Sequence, residues 1–192
     1  WPPVVTGTMA PTIGGALAMN VHGKNNWVRG TLGEHCLELD LVTPRGDALT
    51  VSPEREPELF RAVIGSFGQL GLITRARLQL KKVYSGLVEV RAVAAPDLAT
   101  MLRLTDEAKD AWEYVVGWID AFARGASLGR GLLHFARHLE PGEDPRPEAS
   151  LSAAAQDLPS TLLGVVPKSQ MWRLRAPCTS RPGVRAINVA KY

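Results

Sequence analysis

No aspartate or glutamate occurs between Trp1 and Gly33, and none follows Asp157. An anion meeting the first stretch finds no like charge in it, while Lys24, Arg29 and His22 supply positive or protonatable groups. No apolar run approaches the roughly 18 residues that a membrane-spanning helix needs, so no transmembrane segment is expected. Cysteine is scarce. Cys36 and Cys178 are far apart and in no metal-ligand spacing, which suits a reducing compartment and leaves a single disulfide open. The cytoplasm is the expected location, with the periplasm and membrane association left open. Aromatic residues make up only 6%, and the basic tail carrying Lys168, Arg173, Arg175, Arg181, Arg185 and Lys191 has few rings for stacking, so no nucleic-acid partner is expected. The dinucleotide fingerprint G-x-G-x-x-G is missing. So is the P-loop, since Asn25 follows Gly23-Lys24 and Ala18 stands where its first glycine belongs.

What is present is a run of small residues closed by donors, from Pro11 through Gly14-Gly15-Ala16 to Asn20, His22, Gly23, Lys24 and Asn25. Paired glycines let backbone N–H groups approach an oxyanion closely, so the run is suited to an anion. A turn leading into a buried small-residue helix is the structural alternative.

The rest of the chain reads as α+β. Cys36–Val42 alternates, Pro44-Arg45-Gly46-Asp47 turns, and Ala48–Val51 returns as a hairpin. Ser52-Pro53 and the acids Glu54, Glu56 and Glu58 predict a short helix with Leu59, Phe60 and Val63 facing inward and Gly65 as its stop. A second glycine loop, Gly65–Gly71, feeds a strand from Leu72 toward Lys81 whose Arg75 and Arg77 face water. Leu87–Val93 predicts another strand, and Pro96-Asp97 caps a helix reaching Lys109. Tyr114–Asp120 and Leu132–Leu139 complete a β-α-β-β order. Residues 140–160, rich in Pro, Ala, Glu and Ser, read as an exposed, flexible connection. His134 and His138 share a strand face without an acid or cysteine partner, so no metal centre is expected; Cys36 is expected to be buried and inert.

Several segments together carry a resemblance: Gly7-Thr8, Thr12-Ile13-Gly14-Gly15-Ala16-Leu17-Ala18, His22-Gly23-Lys24-Asn25, Leu39–Gly46 and Gly68-Gln69-Leu70-Gly71-Leu72-Ile73. They are similar to the flavin-binding domain of the vanillyl-alcohol oxidase and p-cresol methylhydroxylase (PCMH-type) superfamily, and resemble most its decaprenylphosphoryl-ribose oxidase branch. Met19 and Ser66-Phe67 depart from that pattern. The resemblance implies FAD as cofactor. It implies that residues 1–85 are the second lobe of the FAD-binding domain, without the first, and that 86–192 begin a substrate domain. The chain opens on Trp1, with its first methionine at Met9, and is expected to be an excerpt or a processed product.

By the same resemblance, Gly7, Thr8, Thr12, Gly14, Gly15, Ala16, Asn20, His22, Gly23, Asn25, Gly68, Gly71 and Ile73 are expected at the cofactor, and Lys24 and Trp118 at the substrate. His22 is the candidate catalytic group. The implied activity is hydride transfer from a secondary alcohol of a sugar-like or polyprenyl-phosphate-linked small molecule to FAD. A flavin-dependent alkene reductase of the sterol type is an open alternative. So is a non-catalytic piece with a half-formed anion site, and the fragment alone is expected to be inactive without the missing lobes of its full-length chain.

Overall fold

Alternation makes Cys36–Val42 a strand, β1, with Leu39 and Leu41 fully buried and the Glu38 and Asp40 carboxylates on the wet side. A register shift between Cys36 and Glu38 explains why Cys36 is buried while Leu37 next to it is exposed. β2 (Ala48–Val51) pairs antiparallel with β1 in the expected hairpin, Leu39 opposite Val51 and Val42 opposite Ala48. β3 (Leu72–Leu78) takes the other side of β1, giving the order β2-β1-β3.

A computed structural model describes residues 1–8, 10–157, 161–162, 166–170 and 176–191. They divide into two units, Trp1–Lys82 and Val83–Tyr192. In unit 1, the helix α1 (Ile13–Ala18) buries Ala16 and Leu17 against the sheet, and a single turn, α2 (Asn26–Arg29), follows. α3 (Pro57–Val63) buries Phe60 and Val63. Its start differs from the sequence expectation. The Ser52 hydroxyl accepts from the N–H groups of Glu54 and Arg55, closing a local turn instead of capping a helix, and Pro57 with its preset φ opens α3.

Unit 2 is built on β4 (Val88–Ala95), α4 (Leu98–Ala108), β5 (Tyr114–Ile119) and β6 (Gly131–His138). The Asp97 carboxylate caps α4, accepting the Thr100 N–H at 2.7 Å. β6 lies in the middle of an antiparallel sheet of order β4-β6-β5. One face buries Ala95, Leu133 and Phe135 with Met101 and Ala108 of α4. Val88 and Val90 stay exposed.

Residues 140–157 are mostly exposed, as the sequence leads one to expect, and carry local structure. They form two single turns, α5 (Pro147–Ser150) and α6 (Ala153–Gln156), tied to the start of unit 2. The buried Asp144 carboxylate accepts from the hydroxyls of Ser85 and Ser150, both at 2.6 Å or less, and Gln156 donates to the Gly86 carbonyl. A composition poor in apolar residues hid these polar anchors. Residues 158–160, Arg173 and Arg175 lie outside the described residues. Thr161–Leu162 pairs with Val166–Pro167, and a last helix, α7, runs from Arg181 to Lys191. Among the described residues no helix is long and apolar enough to cross a membrane.

Candidate cofactor site

The two glycine loops, some fifty residues apart in sequence, meet at the end of α1. The Gly65 N–H donates to the Leu17 carbonyl at 3.0 Å and the Phe67 N–H to the Ala18 carbonyl at 2.8 Å. These bonds satisfy carbonyls that a helix end leaves without an intrahelical partner. They hold Phe67 in the left-handed region at φ +57°, a conformation that costs a bulky residue about 1–2 kcal/mol. Gly68 follows at φ +76°, exposed, with nothing within 4 Å of the place where a Cβ would stand.

α1 itself starts on Thr12, whose hydroxyl accepts the Gly15 N–H at 3.1 Å. A Cβ on Gly15 would sit 3.1 Å from that hydroxyl oxygen, so the close approach favours glycine. Gly14 faces the start of β3, with the Ile73 carbonyl 3.7 Å from its would-be Cβ. Gly7, Thr8, Thr12, Gly15, His22, Lys24 and Gly68 are exposed, and Gly14 and Ile73 are half-buried. The Lys24 ammonium stands 3.7 Å from the would-be Cβ of Gly7. The His22 ring lies with Nδ1 3.3 Å from the Gly23 carbonyl, and its backbone bridges to Thr31.

Other expected site residues are engaged within the protein. Ala16 is buried in the core, its N–H bonded to the Thr12 carbonyl and its own carbonyl to the Val21 N–H. Asn25 is fully buried and donates to the Pro3 carbonyl at 3.0 Å. Gly23 is packed so closely that a Cβ would meet Asn25 and Val5. Asn20 accepts the Gly33 N–H at 3.0 Å from a left-handed backbone at φ +44°. Gly71 packs against Leu41 and Val42 where the loop enters β3.

The first acid of the chain, Glu34, is locked locally. Its carboxylate accepts the Thr31 N–H at 2.7 Å, which holds its pKa below the ordinary glutamate range. Burial pushes the Cys36 thiol up, as expected for an inert cysteine. In unit 2 the Trp118 indole N–H donates to Asn188 at 2.9 Å, and Asn188 donates in turn to Asp120. Burial opposes ionisation of Asp120, but the Phe122 N–H, Arg130 and Asn188 overcome it and leave its pKa lowered.

Residues absent from the sequence expectation also surface here. Ile13, Met19, Phe67, Leu70 and Leu72 are large, apolar and exposed in unit 1. Apolar residues in such patterns read as core from sequence, so nothing marked them as surface.

Residues 1–52 match the model of a family described as an FAD binding domain. The "Uncharacterized protein in mprA 5'region" of Streptomyces coelicolor is 32% identical over 154 residues, covering 80% of this chain and 41% of its own. Decaprenylphosphoryl-beta-D-ribose oxidase of Mycolicibacterium smegmatis is 28% identical over 135 residues, 69% of this chain and 29% of its own. Residues 1–52 are thus similar to an FAD binding domain. Cytokinin dehydrogenase 6 of Oryza sativa subsp. japonica is 36% identical over 124 residues, 62% of this chain and 23% of its own. The chain thus spans less than half the length of these relatives.

The surface of unit 1 fits the cofactor of an FAD-binding domain on grounds of its own. Gly7, Gly15 and Gly68 leave backbone exposed without a Cβ, and no acid lies in residues 1–33 to repel a diphosphate. The exposed apolar side chains suit a flat ring system. Beside Phe67, the Ser66 hydroxyl oxygen is buried and has no hydrogen-bond partner among the described residues, a polar atom that a bound ligand can satisfy.

Proposed function

We propose that unit 1 is the second lobe of an FAD-binding domain, that unit 2 opens a substrate domain, and that the whole protein is an FAD-dependent oxidoreductase. Its substrate in this reading is a small molecule with a secondary alcohol, sugar-like or linked to a polyprenyl phosphate. The observation that carries the reading is the joining of the two glycine loops through Gly65 and Phe67 beside an acid-free, exposed run of small residues. The relatives' names add support, since "oxidase" and "dehydrogenase" both denote removal of hydrogen, whereas an alkene reductase adds it.

When bound, FAD supplies the hydride acceptor, and the protein's task is to position and to move protons. Gly7, Thr8, Thr12, Gly14, Gly15 and Gly68 are the residues that would line it. Lys24, beside Gly7, offsets anionic charge. His22 is exposed, and when Nδ1 donates to the Gly23 carbonyl, Nε2 is left as an acceptor that can hold the proton of a substrate hydroxyl. Asn20, Gly23 and Asn25 keep the loop in shape. Trp118, its indole fixed by Asn188, is assigned to the substrate as a rigid wall.

Purification of the full-length protein tests this directly. The expected result is a yellow preparation with a flavin absorption spectrum that releases FAD on denaturation. A colourless, folded protein that takes up no added FAD would overturn the reading.

A further inference from the structure

A half-open cavity of about 200 Å³ lies between α4 and the strands β4 and β6, entirely within unit 2. Its walls are apolar, formed by Val93, Leu104, Ala108, Trp112 and Phe135, and its charged members are Arg91 and Glu107. The Trp112 and Phe135 rings lie with centroids 6.0 Å apart and tilted by 34°. Arg91 is the direct cross-strand partner of Phe135, so the two side chains leave the same face of the sheet. An engineered apolar cavity of about 150 Å³ takes up benzene, so this one has room for a six-membered ring carrying a small substituent.

Charge decides what the substituent is. Glu107 is already held by Arg103 one helical turn earlier, at 2.7 Å. Arg91 is exposed and has no ion pair with any carboxylate among the described residues. The mouth of the cavity therefore presents a cation without an ion pair beside an aromatic floor, while the Glu107 carboxylate is engaged by Arg103.

We propose that this cavity binds a small aromatic monocarboxylate, its ring against Trp112 and Phe135 and its carboxylate on Arg91. A guanidinium matches a carboxylate in a two-pronged contact, which a neutral ring forgoes. A phosphate dianion finds no second free cation among the lining residues. The site uses no residue of unit 1 and does not depend on the flavin reading.

The test is to titrate the full chain with benzoate and, in parallel, with benzyl alcohol, following tryptophan fluorescence, with Trp112→Phe as the assignment control. Benzoate is expected to give a saturable change that disappears in Trp112→Phe. Arg91→Gln, an exposed substitution, is expected to weaken binding about tenfold, the scale of one charge-assisted hydrogen bond. Benzyl alcohol is expected to bind more weakly than benzoate by a similar factor. Absence of saturation with benzoate overturns the proposal, as do an equal response to benzyl alcohol, an unchanged affinity in Arg91→Gln, and a response that persists in Trp112→Phe.

Discussion

Unit 1 and unit 2 solve the problem of stability with different materials. Unit 1 gathers Val4, Leu17, Leu32, Leu39, Leu41, Val51, Phe60 and Val63 into one apolar core and leaves its glycine loops outside it. Unit 2 has the smaller cluster of Ala95, Met101, Ala108, Leu133 and Phe135, and its described residues include buried polar anchors at Asp120, Asp144 and Asn188. A large apolar core tolerates an exposed, backbone-rich surface beside it because the core alone holds the strands in register. With a smaller apolar cluster, unit 2 leaves more of the fastening of its connections to hydrogen bonds of exact geometry.

The contrast can be broken most forcefully in unit 1. Leu39→Ala removes a fully buried side chain and is expected to destabilise unit 1 by about 3 kcal/mol, within the range for large-to-small core substitutions. Denaturant unfolding of the chain checks it. A loss no larger than that of an exposed substitution such as Leu37→Ala would mean that the core is not what holds this unit.

A smaller effect is expected in unit 2 from Asp144→Ala, which takes away the shared acceptor of Ser85 and Ser150. The midpoint of thermal unfolding should fall, and protease should cut residues 140–157 sooner. The pH dependence has a definite sign. The hydroxyls of Ser150 and Ser85 and the Arg146 N–H hold the Asp144 carboxyl below its ordinary range, so its folded pKa is lower than its unfolded one. Its contribution is therefore complete above about pH 4, the unfolded value, and is lost as the pH falls through the folded pKa. Glu143, held down to about 2 by Arg137, acts in the same direction over the same acid window. Asp144→Asn should flatten the acid limb of the stability curve; an unchanged limb would show that the anchor does not titrate with folding.

The smallest effect on stability, and the sharpest on function, is expected at Gly14 and Gly68. At Gly14 a methyl group would make ordinary contact with Ile73, and alanine in a helix is favoured over glycine, so Gly14→Ala should fold at least as well as the parent. At Gly68 the space is open but φ is +76°, so Gly68→Ala should cost about 1 kcal/mol. Both should weaken FAD binding in the full-length protein, measured by flavin fluorescence. Unchanged affinity in both variants would remove these glycines from the cofactor surface.

Much of the secondary structure was legible in the chain. β1 and β3 follow from alternation, and Asp97 announces α4 because a carboxylate at that position satisfies helix N–H groups a few residues ahead. The anchoring of segment 140–157 was not legible, for a reason of the opposite kind. Its fastening consists of hydroxyl and carboxylate contacts with Ser85 and Gly86, about sixty residues or more away, which leave no periodic pattern in composition.

The candidate site divides along the same line. The absence of acids from residues 1–33, the glycines and the donors His22 and Lys24 are written in the sequence, because charge and the lack of a Cβ are properties of single residues. That Ala16 and Asn25 turn inward while Phe67 and Leu72 turn outward was decided only by the tertiary structure. So was the meeting of the Gly65–Gly71 loop with the end of α1. Burial and long-range hydrogen bonds depend on which surfaces pack together, and local preference acts over a few residues only.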